Sequence, residues 1–468
     1  MKQMIKWLLP ICMLAPLPMS AQDTTDAETE ARTLKLYDNF VFFDGYQLAH
    51  FENVELPEDD DPDVLRHMTY LCAKRLTDED LAWFGSDVTL NVVIGALCDN
   101  YDRIGNVNLA LVPKGSETYS TDDVQRIELA RFITPFMNKN KTPDEVPYSY
   151  KLDALSYIMH DSRLREEYDL WLEFEVFGVP YAANSQIDGC SGRNDVFRGT
   201  LYFESNSEPM EDVSTNVLVP INMKNPVWKE RNLNSYNATD EAGVCVKTWN
   251  FTVPENLSDA RITVIISNHG ANTDGEEYNR REHFVYVDDD LKLDFIPGGK
   301  SCEPYRQYNT QTNGIYGRWI RTDAYWASFS NWCPGDAIPI REIDLGAYPA
   351  GEHSIKIHVP DAVFNGNQGD FPVSIYLQGV TEGELPAGVF TTKALDPELN
   401  IVVDGDKVSW SSSRQVTRVS LYDLDGGMIH AGANRGDSLS LAGINSGVYL
   451  LTLTDTTGYT TVRKILRQ

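Results

Sequence analysis

Basic residues are scarce in this chain. Its 468 residues include 40 Lys and Arg against 69 Asp and Glu, a formal net charge of −29. It therefore lacks the basic face that a nucleic-acid binder needs, and anionic lipid surfaces would repel it. Familiar catalytic signatures are missing too. There is no Gly-x-Ser-x-Gly, no His-Glu-x-x-His, no Gly-x-Gly-x-x-Gly and no Walker loop, which removes the common hydrolase, metalloprotease and nucleotide-binding readings. The absence of a Cys-x-x-Cys pair argues against a zinc ribbon. The eight histidines are scattered, and His353 and His358 fall on opposite faces of an expected strand. Neither a metal nor an organic cofactor is expected.

The N-terminal apolar stretch Trp7–Met19 is too short to span a bilayer and is broken by Pro10, Pro16 and Pro18. Lys2 and Lys6 precede it and Ser20-Ala21 follow it, so residues 1–21 are expected to be a cleaved secretory signal. Of seven cysteines, Cys12 lies in that signal. Cys72, Cys98, Cys190, Cys245, Cys302 and Cys333 remain. An even number in an exported chain favours disulfides, and spacing does not choose among the pairings.

Apolar residues make up 42 % of the chain and aromatics 11 %, enough for packed cores. Apolar and polar residues alternate in short runs such as Leu90–Ala96, Val107–Val112, Leu170–Phe177, Ile262–Ser267, His283–Val287, Ser354–Val359 and Pro372–Leu377. Turn residues separate these runs, as between strands. Val64–Phe84 has some helical character. The pattern predicts an all-β chain, with two adjacent antiparallel jelly-roll or β-sandwich domains and a small C-terminal β-sandwich. The expected boundaries are a signal at 1–21, a flexible segment at 22–33, a first jelly roll at 34–180, a second at 185–380, a linker at 381–398 and the small β domain at 399–468.

Carboxylates are the remaining candidates for chemistry. Cys98-Asp99-Asn100-Tyr101-Asp102-Arg103 joins two strand runs, where loops on a rigid scaffold often carry function. Arg103 would help to keep Asp102 ionised if the two approach. In Leu170-Trp171-Leu172-Glu173-Phe174-Glu175-Val176, alternation puts Trp171, Glu173 and Glu175 together on a non-core face. A Trp beside carboxylates suits a sugar platform. Asp274-Gly275-Glu276-Glu277-Tyr278-Asn279-Arg280-Arg281-Glu282-His283 mixes acidic and basic groups in one loop. The bland reading of each segment is a solvated surface.

These segments together resemble the peptide-N-glycosidase F family of bacterial glycoamidases. Cys98–Arg103 is similar to the family's Cys-Asp-Glu-Trp-Asp-Arg. Arg131-Phe132-Ile133-Thr134-Pro135 and Trp332-Cys333-Pro334-Gly335 match two more of its motifs. Glu277, Arg281 and His283 resemble its Glu-x(3)-Arg-x-His. The resemblance implies two eight-stranded jelly rolls with the active site between them. It implies hydrolysis of the amide joining Asn to the first N-acetylglucosamine of an N-glycoprotein or glycopeptide, without a cofactor. Asp102 would be the main catalytic residue, Glu277 its partner and Glu173 a third catalytic-site carboxylate, one that binds the substrate. Arg103, Trp171, Glu175, His269 and Arg281 are the candidate substrate-binding residues. Cys302 and Cys333 align with a family disulfide.

Several positions depart from that pattern. The cysteines that flank the residue matching Glu277 are replaced by Gly275 and Asn279. The Trp expected two residues after Glu173 is Glu175, and the Trp before the family's Gly-His is replaced in Asn268-His269-Gly270. An Arg just upstream of the Trp-Cys-Pro-Gly motif has no direct counterpart; Arg318 or Arg321 would have to substitute. A non-catalytic glycan-binding protein and a glycosidase cleaving between sugars are the alternative readings. Near the end, Ser446-Gly447-Val448-Tyr449-Leu450 and Val462-Arg463-Lys464-Ile465 resemble the C-terminal sorting domains of Bacteroidetes secreted proteins. That likeness implies export machinery as a partner and a periplasmic, surface or extracellular destination. A monomer is expected.

Overall fold

A computed structural model describes residues 31–47, 61–223, 245–270, 275–311, 313, 315–362, 370–381, 400–411, 416–422, 428–433, 436–455 and 460–467. The expected signal lies outside these residues, as do nearly all of the flexible segment and of the linker. The chain forms two compact units, Met1–Glu382 and Gly383–Gln468. The first contains two β-sandwich lobes.

In the first lobe, β1 (Arg32–Phe43), β9 (Asp195–Ser205), β4 (Thr89–Ala96) and β7 (Glu145–Lys151) form one sheet in that order. The facing sheet runs β2 (Val64–Met68), β3 (Leu71–Arg75), β8 (Tyr168–Val176), β5 (Ile104–Pro113) and β6 (Gln125–Ile133). Neighbours pair antiparallel. β7 shows the physical cause plainly: it alternates exposed and buried residues, with Val146, Tyr148 and Tyr150 turned inward. Phe42 and Phe174 meet edge to face at 5.1 Å in the core. Gly199 makes room for them, because a Cβ there would lie 2.6 Å from the Phe174 ring. Truncating Phe174 to Ala would cost about 3–5 kcal/mol.

In the second lobe, β10 (Asn216–Asn222), β17 (Val373–Thr381), β12 (Leu257–Ile266) and β15 (Arg341–Tyr348) face β11 (Cys245–Val253), β16 (Gly351–Val359), β13 (His283–Val287) and β14 (Asp290–Phe295). Ile262, Val264, Ile355, Ile357, Val373 and Leu377 fill the space between the sheets. The second unit is a small sandwich. β18 (Asn400–Asp404), β19 (Lys407–Ser411) and β22 (Ser438–Ser440) make one sheet; β21 (Met428–Ala433), β20 (Val416–Tyr422), β23 (Gly447–Asp455) and β24 (Thr460–Arg467) make the other. Val408, Trp410, Leu421 and Leu451 pack between them.

The all-β architecture agrees with the alternation in the sequence, but four details differ. Among the described residues the first lobe has nine strands, not eight. It also extends past residue 180, because β9 pairs with β1 and β4. The Asn- and Gly-rich stretch before β9 resembles a connector but holds a short helix, Ala183–Gln186, and the Cys98–Cys190 disulfide. Val64–Phe84 holds the two strands β2 and β3. Leu71–Arg75 pairs with Glu175–Trp171 of β8, and that pairing outweighs local helical preference. Only Asp78–Ala82 is helical, with Thr77 and Asp80 forming a capping box.

The lobes are joined by backbone pairing between two of the sequence motifs. Ile133 N–H donates to Asp336 O at 2.9 Å, Gly335 N–H to Ile133 O at 3.0 Å, and Ile338 N–H to Arg131 O at 2.8 Å. Gly335 turns the chain there with φ of 98°, a conformation that favours glycine. Beside this pairing Arg131 is wholly buried. It holds Glu128 through two bonds of 2.7 and 2.6 Å and reaches into the second lobe, donating to Ser267 Oγ at 3.0 Å and Pro372 O at 2.7 Å.

Candidate active site

The Asp102 loop is shaped by Asp99. The buried Asp99 carboxylate accepts the N–H groups of Tyr101 at 2.9 Å and Val179 at 2.6 Å, and Arg103 Nε at 2.7 Å. Cys98 is bonded to Cys190, which anchors the start of the loop. At its end, Arg103 N–H donates to Thr134 Oγ1 at 2.8 Å and Thr134 N–H to Arg103 O at 2.7 Å. With both ends fixed, Asp102 faces a cleft of about 410 Å³.

Glu277 faces the same cleft from the second lobe. Its backbone is gripped by the segment before the Trp-Cys-Pro-Gly motif. Ser330 Oγ donates to Glu277 O at 3.0 Å, and Asn331 Nδ2 donates to the carbonyls of Glu277 at 2.6 Å and Glu276 at 2.8 Å. All four motifs thus belong to one hydrogen-bonded frame around the cleft. Ile104, Ile133 and Trp332 pack with Ile265 and Ile338 at the junction of the lobes. Tyr101, Arg103, Phe136, His269, Tyr278 and Ile315 complete the walls.

Both carboxyls hold their protons unusually tightly. Burial, then the nearby charge of Glu277, pushes Asp102 up to about 8 against the pull of Arg103. Burial pushes Glu277 up to about 7, with hydrogen bonds from Tyr278 and the Gly270 backbone pulling the other way. The like charge of Glu277 thus helps to keep Asp102 protonated to higher pH.

The other candidates are placed differently. His269 lines the cleft, its ring 5.8 Å from that of Trp332. Arg103 lines it too, but its guanidinium is turned onto Asp99 and not onto Asp102. Glu173 is away from the cleft. It pairs in register with Asn108, four residues along β5 from Ile104, about 13 Å at a strand rise of ~3.3 Å. There it is fully buried, bound by Arg126 at 2.9 and 3.0 Å, Tyr119 Oη at 2.8 Å and Asn108 Nδ2 at 3.1 Å. Burial alone would raise it, but the Arg126 guanidinium holds it below the ordinary carboxylate range. Glu175 is fully buried as well. Trp171 is packed by Ala73, Ala110, Val112 and Val124, with Tyr119 edge-on at 5.5 Å. The face expected to offer a sugar platform is therefore covered. Arg281 is outside the cleft lining, bidentate on the buried Glu276 at 2.8 and 3.0 Å. Cys302 and Cys333 are bonded, while Cys72 and Cys245 are buried thiols outside any disulfide. Tyr101, Tyr278 and Asn331 were not singled out by the sequence; Tyr101 and Tyr278 flank the two carboxylates directly, which is the signal that could have found them.

The fold and cleft define a two-lobed, all-β protein with one carboxylate pair assembled from both halves. The descriptions "Peptide-N-glycosidase F, N terminal" and "Peptide-N-glycosidase F, C terminal" match residues 43–191 and 235–378, together more than half of the chain. The chain belongs to the peptide-N-glycosidase F family. Two crystal forms of a protein called PNGF-II match at 18 % and 17 % identity with TM-scores of 0.52 and 0.55. These matches cover 75 % and 76 % of this chain and 65 % and 66 % of the PNGF-II chains, just under two thirds of their length. PNGase F, a glycosylasparaginase from Flavobacterium meningosepticum, matches at 15 % identity with a TM-score of 0.45, over 75 % of this chain and 96 % of its own. No curated protein matches significantly.

Proposed function

We propose that this chain is an exported glycoamidase that hydrolyses the amide between Asn and the first N-acetylglucosamine of N-glycoproteins or glycopeptides. One observation carries the reading: Asp102 and Glu277, from different lobes, face one cleft, and the charge of Glu277 helps to raise Asp102. Asp102 orients and deprotonates a water that attacks the carboxamide carbon. The C–N bond breaks as Asp102 passes the proton taken from the water to the departing nitrogen, Glu277 helps to hold that water, and Asn becomes Asp with a glycosylamine as the other product. Proton transfer of this kind contributes about 10²–10⁴ in rate. Tyr101, Tyr278 and Trp332 offer aromatic faces to the sugars. The leader and the sorting-domain-like tail support export in this reading; a mature chain beginning at Gln22, found by mass spectrometry after secretion, is the expected result.

The test is incubation with a denatured N-glycoprotein followed by weighing of the peptide. Conversion of Asn to Asp, a gain of about one dalton at the deglycosylated site, is expected. An N-acetylglucosamine left on Asn would instead mark cleavage between sugars, and binding with an intact glycan would mark a non-catalytic protein. Asp102→Asn is expected to remove nearly all turnover while the chain stays folded; wild-type-like turnover would refute the assignment.

A further inference from the structure

Two exposed tyrosines stand beside the Asp102 loop without belonging to the cleft wall. Tyr46 is 65 % exposed and Tyr181 58 %, and their rings lie 6.2 Å apart, 24° from parallel. At that separation near-parallel rings are offset, so their faces form one stepped surface instead of covering each other. Both are seated on firm backbone. Tyr46 N–H donates to Asp44 Oδ1 at 3.1 Å and Gly45 N–H to Gly178 O at 2.9 Å. A Cβ at Gly45 would lie 2.4 Å from the Phe177 ring, and that ring meets Tyr46 edge-on at 5.5 Å. Tyr181 comes two residues after Val179, whose N–H donates to the Asp99 carboxylate at 2.6 Å.

The pair continues a file of flat groups that starts in the cleft. Tyr101 lines the cleft, and the Arg103 guanidinium lies over its ring at 5.5 Å. Burial lowers the Arg103 pKa, while Asp99, then Asp102 and the Tyr46 phenol raise it, so Tyr46 is within electrostatic reach of that guanidinium. Tyr181 follows Tyr46 outward. Phe177, which supports Tyr46, donates its N–H at 3.4 Å to the carbonyl of Ile104, a cleft residue. The two rings sit in Asp44-Gly45-Tyr46-Gln47 and Pro180-Tyr181-Ala182, and neither segment contains a large aliphatic side chain. A sugar ring has an apolar C–H face and a rim of hydroxyls. Flat phenol rings in a polar setting match that chemistry better than they match an apolar peptide side chain.

We propose that Tyr46 and Tyr181 form an outer glycan subsite, stacking against pyranose rings beyond the innermost sugars while Asp102 meets the amide. They set specificity and do not touch the reacting atoms. Their place in turnover rests on the glycoamidase reading; their binding of an oligosaccharide does not. The alternation of β8 points to a sugar platform at Trp171, which the fold covers. The turns after β1 and β8 supply one instead.

The experiment uses the full chain and one glycopeptide in two forms, with an intact high-mannose N-glycan and trimmed to its two innermost sugars. Tyr46→Ala and Tyr181→Ala are each expected to raise KM for the intact form about three- to tenfold, the worth of one aromatic contact, with kcat within about twofold. KM for the trimmed form should stay within about twofold. Tyr46→Phe and Tyr181→Phe should keep the wild-type KM, because the ring face makes the contact. An equal rise with both forms would put the rings on the peptide or the inner sugars and overturn the proposal, as would an unchanged KM for the intact form. If the wild-type protein cleaves neither form, the glycoamidase reading fails, and titration with the released high-mannose oligosaccharide still decides the subsite. Tyrosine ring signals in 1H–13C spectra, assigned with the two Phe variants, are expected to shift at Tyr46 and Tyr181; unmoved signals would overturn it.

Discussion

Asn279 Nδ2 donates to Gly275 O at 2.8 Å, closing the loop that carries Glu277 at the two positions where the family resemblance places cysteines. A hydrogen bond and the grip of Asn331 stand where a covalent clamp was expected. The loop is thus held by contacts that a single substitution can remove. Asn331→Ala deletes donors to the carbonyls of Glu276, Glu277 and Asn279. It is expected to lower kcat/KM for glycopeptide about 10–100-fold, since misplacing a catalytic group by about 1 Å costs ~10²-fold. Steady-state kinetics alongside a melting curve check this; a variant that melts normally and turns over normally would count against it.

The protonation of the pair gives a pH dependence with a definite sign. With Asp102 at about 8 and Glu277 at about 7, the acidic limb of kcat/KM is expected well above the ordinary carboxylate range of ~4. Glu277→Gln removes a like charge that raises Asp102. The limb of its residual activity should move to lower pH.

The same shift affects stability. The Asp102 carboxyl binds its proton more tightly folded than unfolded, where a value near 3.9 is ordinary. Its contribution is fully present below about pH 4 and is lost as pH rises toward about 8, because folding then costs the burial of a charge. Asp102→Asn avoids that cost. It should match the wild type at pH 4 and melt higher at pH 8–9, by about 2–4 °C for each kcal/mol recovered. Melting curves across that range measure the difference; a variant less stable than wild type at pH 9 would contradict it.

Glu173 and Arg126 form an enclosed ion pair. Removing one partner of such a pair leaves a stranded charge and costs about 3–5 kcal/mol. Arg126→Met is therefore expected to lower stability in denaturant by that order. Glu173→Gln should cost stability in larger proportion than kcat. A Glu173→Gln chain with full stability and no turnover would return this residue to a catalytic role.

The cysteines separate by behaviour. Ellman's reagent is expected to find two thiols, Cys72 and Cys245, and only after unfolding, since both are buried and burial pushes the Cys245 thiol up. Peptide mapping should recover Cys98–Cys190 and Cys302–Cys333 as bridges, which close loops of 92 and 31 residues. In the loop-entropy account they contribute about 4–5 and 3–4 kcal/mol.

Alternation made strands such as β4, β12, β13 and β16 legible, because one face of each meets a core. β6 escaped that logic. Gln125–Ile133 carries Arg126, Glu128 and Arg131, and charges at such spacing look like surface. Each is buried because its partner arrives from elsewhere, Glu173 from β8 and Ser374 from β17. Trp171, Glu173 and Glu175 were misplaced for the same reason: the groups that cover them come from other parts of the chain. Asp102 and Glu277 were found through motifs. Their common cleft is a product of lobe packing, which no local pattern encodes.

Arg131 has a consequence for how this chain can be divided. Its charge is answered by Glu128, yet two of its donors are completed by Ser267 and Pro372. Cutting the gene between Ser205 and Asn216 would leave each fragment with a raw, half-satisfied seam. The fragments are expected to be insoluble when made separately and to recover only when synthesised together, as obligate companions and not as portable modules.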